Sequence, residues 1–321
     1  MRVFNISATD NNQRLNRFLE KTVPGLYPSL MYKYLRTKHI KVNGKRATGD
    51  IRLKEGDIIS LYISDDFFDQ QRATEDFMNA SDDISILYED KNILIINKPV
   101  GLISHSDSTK DMDTLVNRLL KYLTLKSEFD LNETISFTPA LCNRLDKNTE
   151  GIVIAAKNLP SLQEMNLMIK QRDVKKYYLT VVTSTPPPDG IYSAYHQTTT
   201  GNRVLISDSQ VNSSKEIFTG IKTVYSNNGF FIVQIELITG RKHQIRAHLS
   251  HLGCPILGDP IYGDMKINLK LNLSHQLLIS YMMSFFLKEH LSNYPLLSYL
   301  DEKTYIIGDS ESKLKAIIDT N

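Results

Sequence analysis

Apolar positions in the first sixty residues change their period part-way along. Leu15, Phe18 and Leu19 fall at i, i+3 and i+4, the spacing of one helix face. Met31, Tyr34 and Leu35 repeat it behind Ser29, which can cap a second helix. The period then drops to two. Ile40 and Val42 flank Lys41, Asn43-Gly44 is a strong two-residue hairpin signal, and "IISLYI" follows the turn residues "EGD". The predicted order is helix, helix, small sheet, which makes a small N-terminal α/β module.

From Ile84 onward the pattern is different. "ISILYEDKNILIINKP" carries two apolar runs parted by the turn-like "EDKN", and "DTLVNRLLKYL" reads as an amphipathic helix. "GIVIAAKN" is a strand, "SLQEMNLMIKQ" has helical spacing, and "KKYYLTVV" is again a strand. "TPPPDG" breaks the chain, and the long strand "FFIVQIELIT" runs into "GRKHQIRAHLSHLG". Strands with irregularly interspersed helices predict an α+β fold with a mainly antiparallel sheet, rather than regular βαβ alternation.

Composition and charge refine this picture. A chain of 321 residues exceeds an average single domain, and 41% apolar residues is ordinary for a globular protein. Cys142 and Cys254 are too few for a disulfide framework. "MRVFNISATDNNQ" lacks the apolar core of a signal peptide, and no run approaches the length of a membrane span. A cytoplasmic protein is expected. The net charge of +2 hides a strong asymmetry. Residues 13–63 hold eleven Lys/Arg against four Asp/Glu, a net +7, whereas residues 64–83 hold seven acids against one arginine, a net −6. The expected organisation is a basic module at 1–63, an acidic linker at 64–83 and a large module at 84–321.

Arg36, Lys38, Lys41, Lys45 and Arg46 crowd the join between the second helix and the hairpin. Such a surface neutralises phosphates and releases counterions, favouring nucleic acid without sequence preference. Charge alone is equally compatible with a solvated lysine-rich face. The stretch from "RLNRFL" through "IKVNGK" to "EGDII" resembles an S4 RNA-binding domain. That resemblance implies an RNA partner, with Arg36, Lys38 and Lys41 as contacts.

Three stretches of the large module can carry chemistry. In "NRLDKNTEG", Asp146 sits two positions from Arg144, which fits either a reactive carboxylate or a salt-bridged turn. In "TGRKHQIRAHLSHLGCPILGDPIYG", Gly240 allows a tight strand-to-helix turn, and the following helix start with Arg241, Lys242 and His243 suits an anion. Gly253 is placed as a helix stop. His248, His251 and Cys254 recur at intervals of three, as zinc ligands can, but Gly253 separates Cys254 from the helix. In "KKYYLTVV", Tyr177 and Tyr178 point to opposite faces of a strand, so one belongs to the core and the other to a cleft or to solvent.

Together these stretches resemble the large-ribosomal-RNA branch of the pseudouridine synthases, whose members often carry an N-terminal S4 domain. "YEDKNILIINKPVGLISHS", "NRLDKNTEGIVIAAKN" and "TGRKHQIRAHLSHLGCPILGDPIYG" are similar to that family's three blocks, in order. The resemblance implies the pseudouridine synthase fold and an enzyme that isomerises uridine in ribosomal or transfer RNA. It implies Asp146 as nucleophile, Arg246 as its ionic partner and Tyr178 as the ring stacked on the target base. Ile245 would lie beneath that base, and Arg144 would take the place of the extruded nucleotide. A carboxylate nucleophile splits a hard step into easier ones, and a cationic neighbour keeps it ionised. The reaction is redox-neutral and hydrolyses nothing, so no metal or organic cofactor is expected. The chain is expected to act as a monomer, with no membrane partner.

Three positions depart from the usual family pattern. Asn143 and Ile279 stand where histidines are common, and Glu150 stands where serine is common. Glu150 brings a second carboxylate into the neighbourhood of Asp146. Two other functions compete: an S4-type RNA-binding protein without activity, and a metal-dependent hydrolase using His243, His248 and His251.

Overall fold

The computed structural model describes the chain apart from residues 8–9, 24, 69–74, 106–111, 131–136, 200–202, 212 and 321. Residues 69–74 of the acidic stretch therefore lie outside the described residues.

The N-terminal elements are β1 (Arg2–Asn5), α1 (Leu15–Thr22), α2 (Pro28–Arg36), β2 (Ile40–Val42), β3 (Lys45–Arg46) and β4 (Ile58–Leu61). The strands pair antiparallel in the order β1-β4-β2-β3. Leu15, Phe18 and Leu19 are fully buried and pack with Met31, Leu35, Ile40, Ile59 and Leu61, so the helical stripes close one face of this sheet. The Asn43-Gly44 turn has positive φ at both residues, 49° and 71°, as a tight hairpin requires. The start of α2 differs from expectation. Tyr27 is the N-cap residue and Pro28 begins the helix, leaving Ser29 inside the first turn. Proline suits that position because its missing N–H would have no helical acceptor.

The second sheet has eleven strands and four of the helices that cover it can be placed by their core residues. Its first elements are β5 (Ser85–Glu89), β6 (Ile93–Lys98), α3 (Leu115–Leu125), β7 (Ala140–Leu141), β8 (Glu150–Ala156), α4 (Leu159–Gln171) and β9 (Val174–Val182). Then come β10 (Gly190–Thr198), β11 (Val204–Ser207), β12 (Lys215–Asn227), β13 (Phe230–Leu237) and α5 (Gln244–His251). The chain ends with α6 (Met265–Lys270), β14 (Leu278–Phe285), β15 (Thr304–Ile306) and α7 (Ser310–Thr320). The order is β11-β10-β12-β13-β9-β14-β8-β6-β5, with β15 added to β14 and β7 to β8. Among the described strand pairs, β8 and β14 run parallel and the others antiparallel. This is an α+β fold with a mainly antiparallel mixed sheet.

Both faces of the sheet's centre are buried, and strand alternation assigns each residue its side. Leu94, Ile96, Val153, Ala155 and Tyr178 face α3 and α5, where Leu119, Ile245 and Leu249 pack on them. Ile93, Ile95, Ile152 and Ile154 face α4 through Met165 and Met168. Leu179 and Val181 face α7 through Leu314 and Ile318. The run "GIVIAA" is uniformly apolar for this reason. Gly151 marks the parallel seam: its φ is 129°, and a Cβ there would stand 2.3 Å from the Ser280 carbonyl oxygen on β14. No helix among the described residues is long and apolar enough to cross a membrane.

Candidate active site

Asp146 lies in the loop between β7 and β8, and almost every neighbour in that loop is tied down. Asn143 Oδ1 accepts from the Ile154 amide at 2.8 Å, and its Nδ2 donates to the Ile152 carbonyl at 3.3 Å. Ser104 Oγ donates to the Leu145 carbonyl at 2.9 Å and accepts from the Leu145 amide at 3.2 Å. Lys98 Nζ donates to the Lys147 carbonyl at 3.0 Å as well as to those of Pro99 and Leu102, at 2.9 and 2.8 Å. Gln276 Nε2 donates to Thr149 Oγ1 at 3.2 Å. Lys98 is fully buried, and burial pulls its pKa down to about 8 although the charges of Asp146 and Glu150 resist. A polar loop holds its shape when its groups have partners, and most of this one's do.

Arg246 projects from α5 to the Asp146 carboxylate, with Nη1 2.8 Å from Oδ2. Its other two nitrogens both donate to Asp259: Nε to Oδ2 at 2.7 Å and Nη2 to Oδ1 at 3.0 Å. Asp259 Oδ1 also accepts from the amides of Ile261 and Tyr262 at 2.8 and 3.0 Å. Burial alone would raise the Asp259 carboxyl. Arg246 and these amides outweigh it and hold the pKa below the ordinary value. The guanidinium is thus fixed from behind in a bidentate grip, and it presents one N–H to Asp146.

His243 starts α5 in the left-handed conformation, φ 54°, a role the sequence had given to Gly240 as the flexible turn residue. Its Nε2 lies 3.6 Å from Asp146 Oδ2, beyond hydrogen-bond reach, and its Nδ1 is 3.1 Å from the Tyr262 hydroxyl. Burial lowers the His243 pKa; Asp146 opposes that shift while Arg246 and Lys242 reinforce it. The net effect favours the neutral imidazole.

Tyr178, on β9, is 5% exposed and Ile245, on α5, is also 5% exposed. Burial pushes the phenol up to about 12, with the Ser280 hydroxyl opposing and the Asp146 charge adding to the rise. Both residues line a cleft of about 620 Å³ together with Asp146, Arg144 and Arg246. That volume is in the range of sites that take a nucleotide-sized ligand. Arg144 is solvent-exposed at its edge. Tyr177 lies on the opposite strand face, paired across the sheet with Glu236.

The other residues singled out by sequence lie elsewhere. Arg36 and Lys38 are exposed, and Lys41 is half-buried with its Nζ 5.1 Å from the Tyr62 ring centre; all three are in the small module and none lines the cleft. The three residues spaced like zinc ligands have separate surroundings: His248 Nδ1 lies 2.9 Å from Thr219 Oγ1, His251 Nε2 lies 2.7 Å from Asp208, and Cys254 is core. Glu150 turns away from the cleft and meets Lys313 of α7 at 3.1 Å. Ile279 is buried among Leu179, Leu257 and Leu314, so an apolar residue suits the place. Sequence reasoning missed Lys98 and Asp259 as supporting residues. Both stood inside quoted motifs, "NKP" and "GDPIYG", but their burial could be seen only in three dimensions.

Residues 92–251 match the profile of the RNA pseudouridylate synthase family. The chain is 34% identical over 264 residues to the ribosomal large subunit pseudouridine synthase C of Rickettsia bellii, covering 79% of this chain and 84% of that one. It is 29% identical over 306 residues to an RNA pseudouridine synthase of Mycoplasma genitalium, covering 92% of each. Among solved structures it is similar in fold to human RNA pseudouridylate synthase domain containing 4, with a TM-score of 0.53, 23% identity and coverage of 72% of this chain and 93% of that one.

Proposed function

We infer the particular reaction and its residues from one premise: the chain belongs to the RNA pseudouridine synthases, which isomerise uridine within RNA. The proposed substrate is structured RNA of the large ribosomal subunit, the class that the name of the Rickettsia bellii relative specifies. The observation that carries the assignment is a partly exposed carboxylate, Asp146, held by a buried arginine in a nucleotide-sized cleft that a buried tyrosine also lines.

The isomerisation breaks the uridine N1–C1′ bond and forms a C5–C1′ bond; C5 gives up its proton and N1 ends protonated, so the atoms balance. Asp146 is the proposed nucleophile that holds one fragment while the base turns. Arg246 keeps that carboxylate charged and oriented. The faces of Tyr178 and Ile245 sandwich a uracil ring in either orientation. A base inside a folded RNA has to leave its stack to reach them, and Arg144, at the exposed edge of the cleft, fills the gap it leaves. No cofactor enters this scheme.

The basic face of the small module, with Arg36, Lys38 and Lys41, is the proposed S4-type RNA contact. It contributes affinity, through phosphates, and not chemistry. The protein would act as a monomer in the cytoplasm, on ribosomal rather than transfer RNA. Pseudouridine mapping of total RNA, by a chemical adduct specific to that base, from cells with and without the protein tests the reading. One or a few large-subunit positions should lose pseudouridine. Loss confined to transfer RNA would overturn the substrate assignment, and no loss at all would overturn the activity.

A further inference from the structure

Two adjacent lysines on β9 have opposite surroundings. Lys175 faces away from the cleft, where Glu236 lies 3.7 Å from its Nζ and the Phe286 ring centre 5.3 Å away. Lys176 shares the face of Tyr178, two residues on, and lines the cleft. Its Nζ makes no hydrogen bond or ion pair with any described residue. Burial lowers its pKa, and no charged group among the described residues contributes, so it is not paired with the Asp146 carboxylate as Arg246 is. Gly240, which also lines the cleft, stands beside its Nζ. A Cβ built there would lie 3.8 Å from Nζ, so bare backbone leaves room around the ammonium.

An ammonium half-buried with no partner among the described residues is unfavourable in the free protein. Its lost solvation has to be compensated by something that enters the cleft. The cleft edge carries further exposed cations, Arg144, Arg241 and Lys242, so the entering group is anionic. Uracil is neutral; the anions of an RNA strand are its phosphodiesters. We propose that Lys176 binds the backbone phosphate next to the target uridine and thereby positions the extruded nucleotide over Asp146. This rests on the proposed function and adds a positioning residue to it. The face of Tyr178 fixes the base only in the plane of stacking, and a phosphate anchor on the same strand fixes its sugar relative to the carboxylate.

The test uses the full-length protein, Lys176→Met and Lys176→Arg, and a stem–loop RNA spanning the uridine identified by mapping. A second RNA carries a single uncharged methylphosphonate beside that uridine. A charge-assisted contact of this kind is worth about 1.5–3 kcal/mol, so Lys176→Met should raise KM by roughly ten- to a hundredfold with kcat changed far less. The slope of log affinity against log salt should fall by about one, and Lys176→Arg should restore most of both. The methylphosphonate should weaken the wild type by a similar factor and leave Lys176→Met unaffected. Additive losses from the variant and the uncharged linkage would overturn the proposal. So would a fall in kcat alone, which would move Lys176 to the base and away from the phosphate. A wild type that forms no pseudouridine on any RNA would instead overturn the functional reading.

Discussion

Asp259 holds Arg246 through both of its carboxylate oxygens, at 2.7 and 3.0 Å, and is itself completely buried. The arginine is therefore a structural member of the core as well as the partner of Asp146. Replacing it with methionine leaves Asp259 with its two backbone amides but no cation. Breaking a buried pair on one side destabilises by about 3–5 kcal/mol. Arg246→Met should lower the free energy of unfolding by that order in a urea titration. Asp146→Asn should lower it by under about 1 kcal/mol, because Asp146 is partly solvated and its amide can still accept from Nη1. Equal losses for the two variants would mean that the Asp259 grip does not hold the arginine in solution.

Asp146→Asn should abolish pseudouridine formation while leaving RNA binding nearly intact. The amide matches the carboxylate in size but cannot act as a nucleophile, and affinity depends mainly on basic surfaces that the change does not touch. Single-turnover assays at saturating RNA, beside filter binding, separate the two. A tenth of wild-type activity, retained reproducibly, would remove Asp146 from the role.

Strand and helix stripes were legible in the sequence because local period reports burial: Leu15, Phe18 and Leu19 are in the core, and so is the unbroken run "IVIAA". The strand β14 and the terminal helix α7 were not, because "LLISYMMSFF" and the weakly amphipathic tail have no clean period of their own; both are defined by the sheet they pack on. Asp146 and Arg246 are a hundred residues apart, and spacing alone left Asp146 open between chemistry and a salt bridge. Their 2.8 Å contact is a property of the fold. Lys98 and Asp259 carry charges that sequence reasoning places at the surface by default, and only the carbonyls and amides converging on them explain their burial.

His248 gives a pH prediction. It is fully buried, and burial, with help from the charge of His251 and against Asp208, lowers its pKa from 6.5 to about 4. Between those values the unfolded chain binds a proton that the native protein does not. Stability therefore rises with pH across the window, and is lost as pH falls from about 6.5 to 4. At about 1.4 kcal/mol per pH unit, the whole window is worth roughly 3 kcal/mol at most. His248→Gln, which can keep a hydrogen bond to Thr219 but does not titrate, should flatten the slope. The difference in unfolding free energy between wild type and variant should shrink from pH 7 to pH 4 by up to that amount. Parallel curves would show that His248 charges as readily in the folded protein as outside it.

Lys98→Met isolates the contribution of loop geometry to activity. The lysine ammonium spends its three N–H donors on three carbonyls: those of Pro99, Leu102 and Lys147. Lys147 follows Asp146 directly, so this contact fixes the backbone that aims the carboxylate. Its carbonyl also accepts from the Gly101 amide at 2.9 Å, so that carbonyl keeps one donor when Lys98 is lost. Methionine fills a similar volume and offers no donor. The carbonyls of Pro99 and Leu102 then lose that donor, at about 1–3 kcal/mol for each one left buried and unpaired, partly offset by removing an ammonium that burial disfavours. A net loss of about 2–4 kcal/mol in unfolding free energy is expected. Because the RNA surfaces are untouched, KM should stay near the wild-type value. Because a small misplacement of a reacting group is costly, kcat should fall by about tenfold or more. Assays are run at a temperature where circular dichroism shows the variant fully folded. A stable variant with wild-type kcat would mean that the other ties of the loop between β7 and β8, from Ser104, Asn143, Gly101, Gln276 and Arg246, hold Asp146 in place without Lys98.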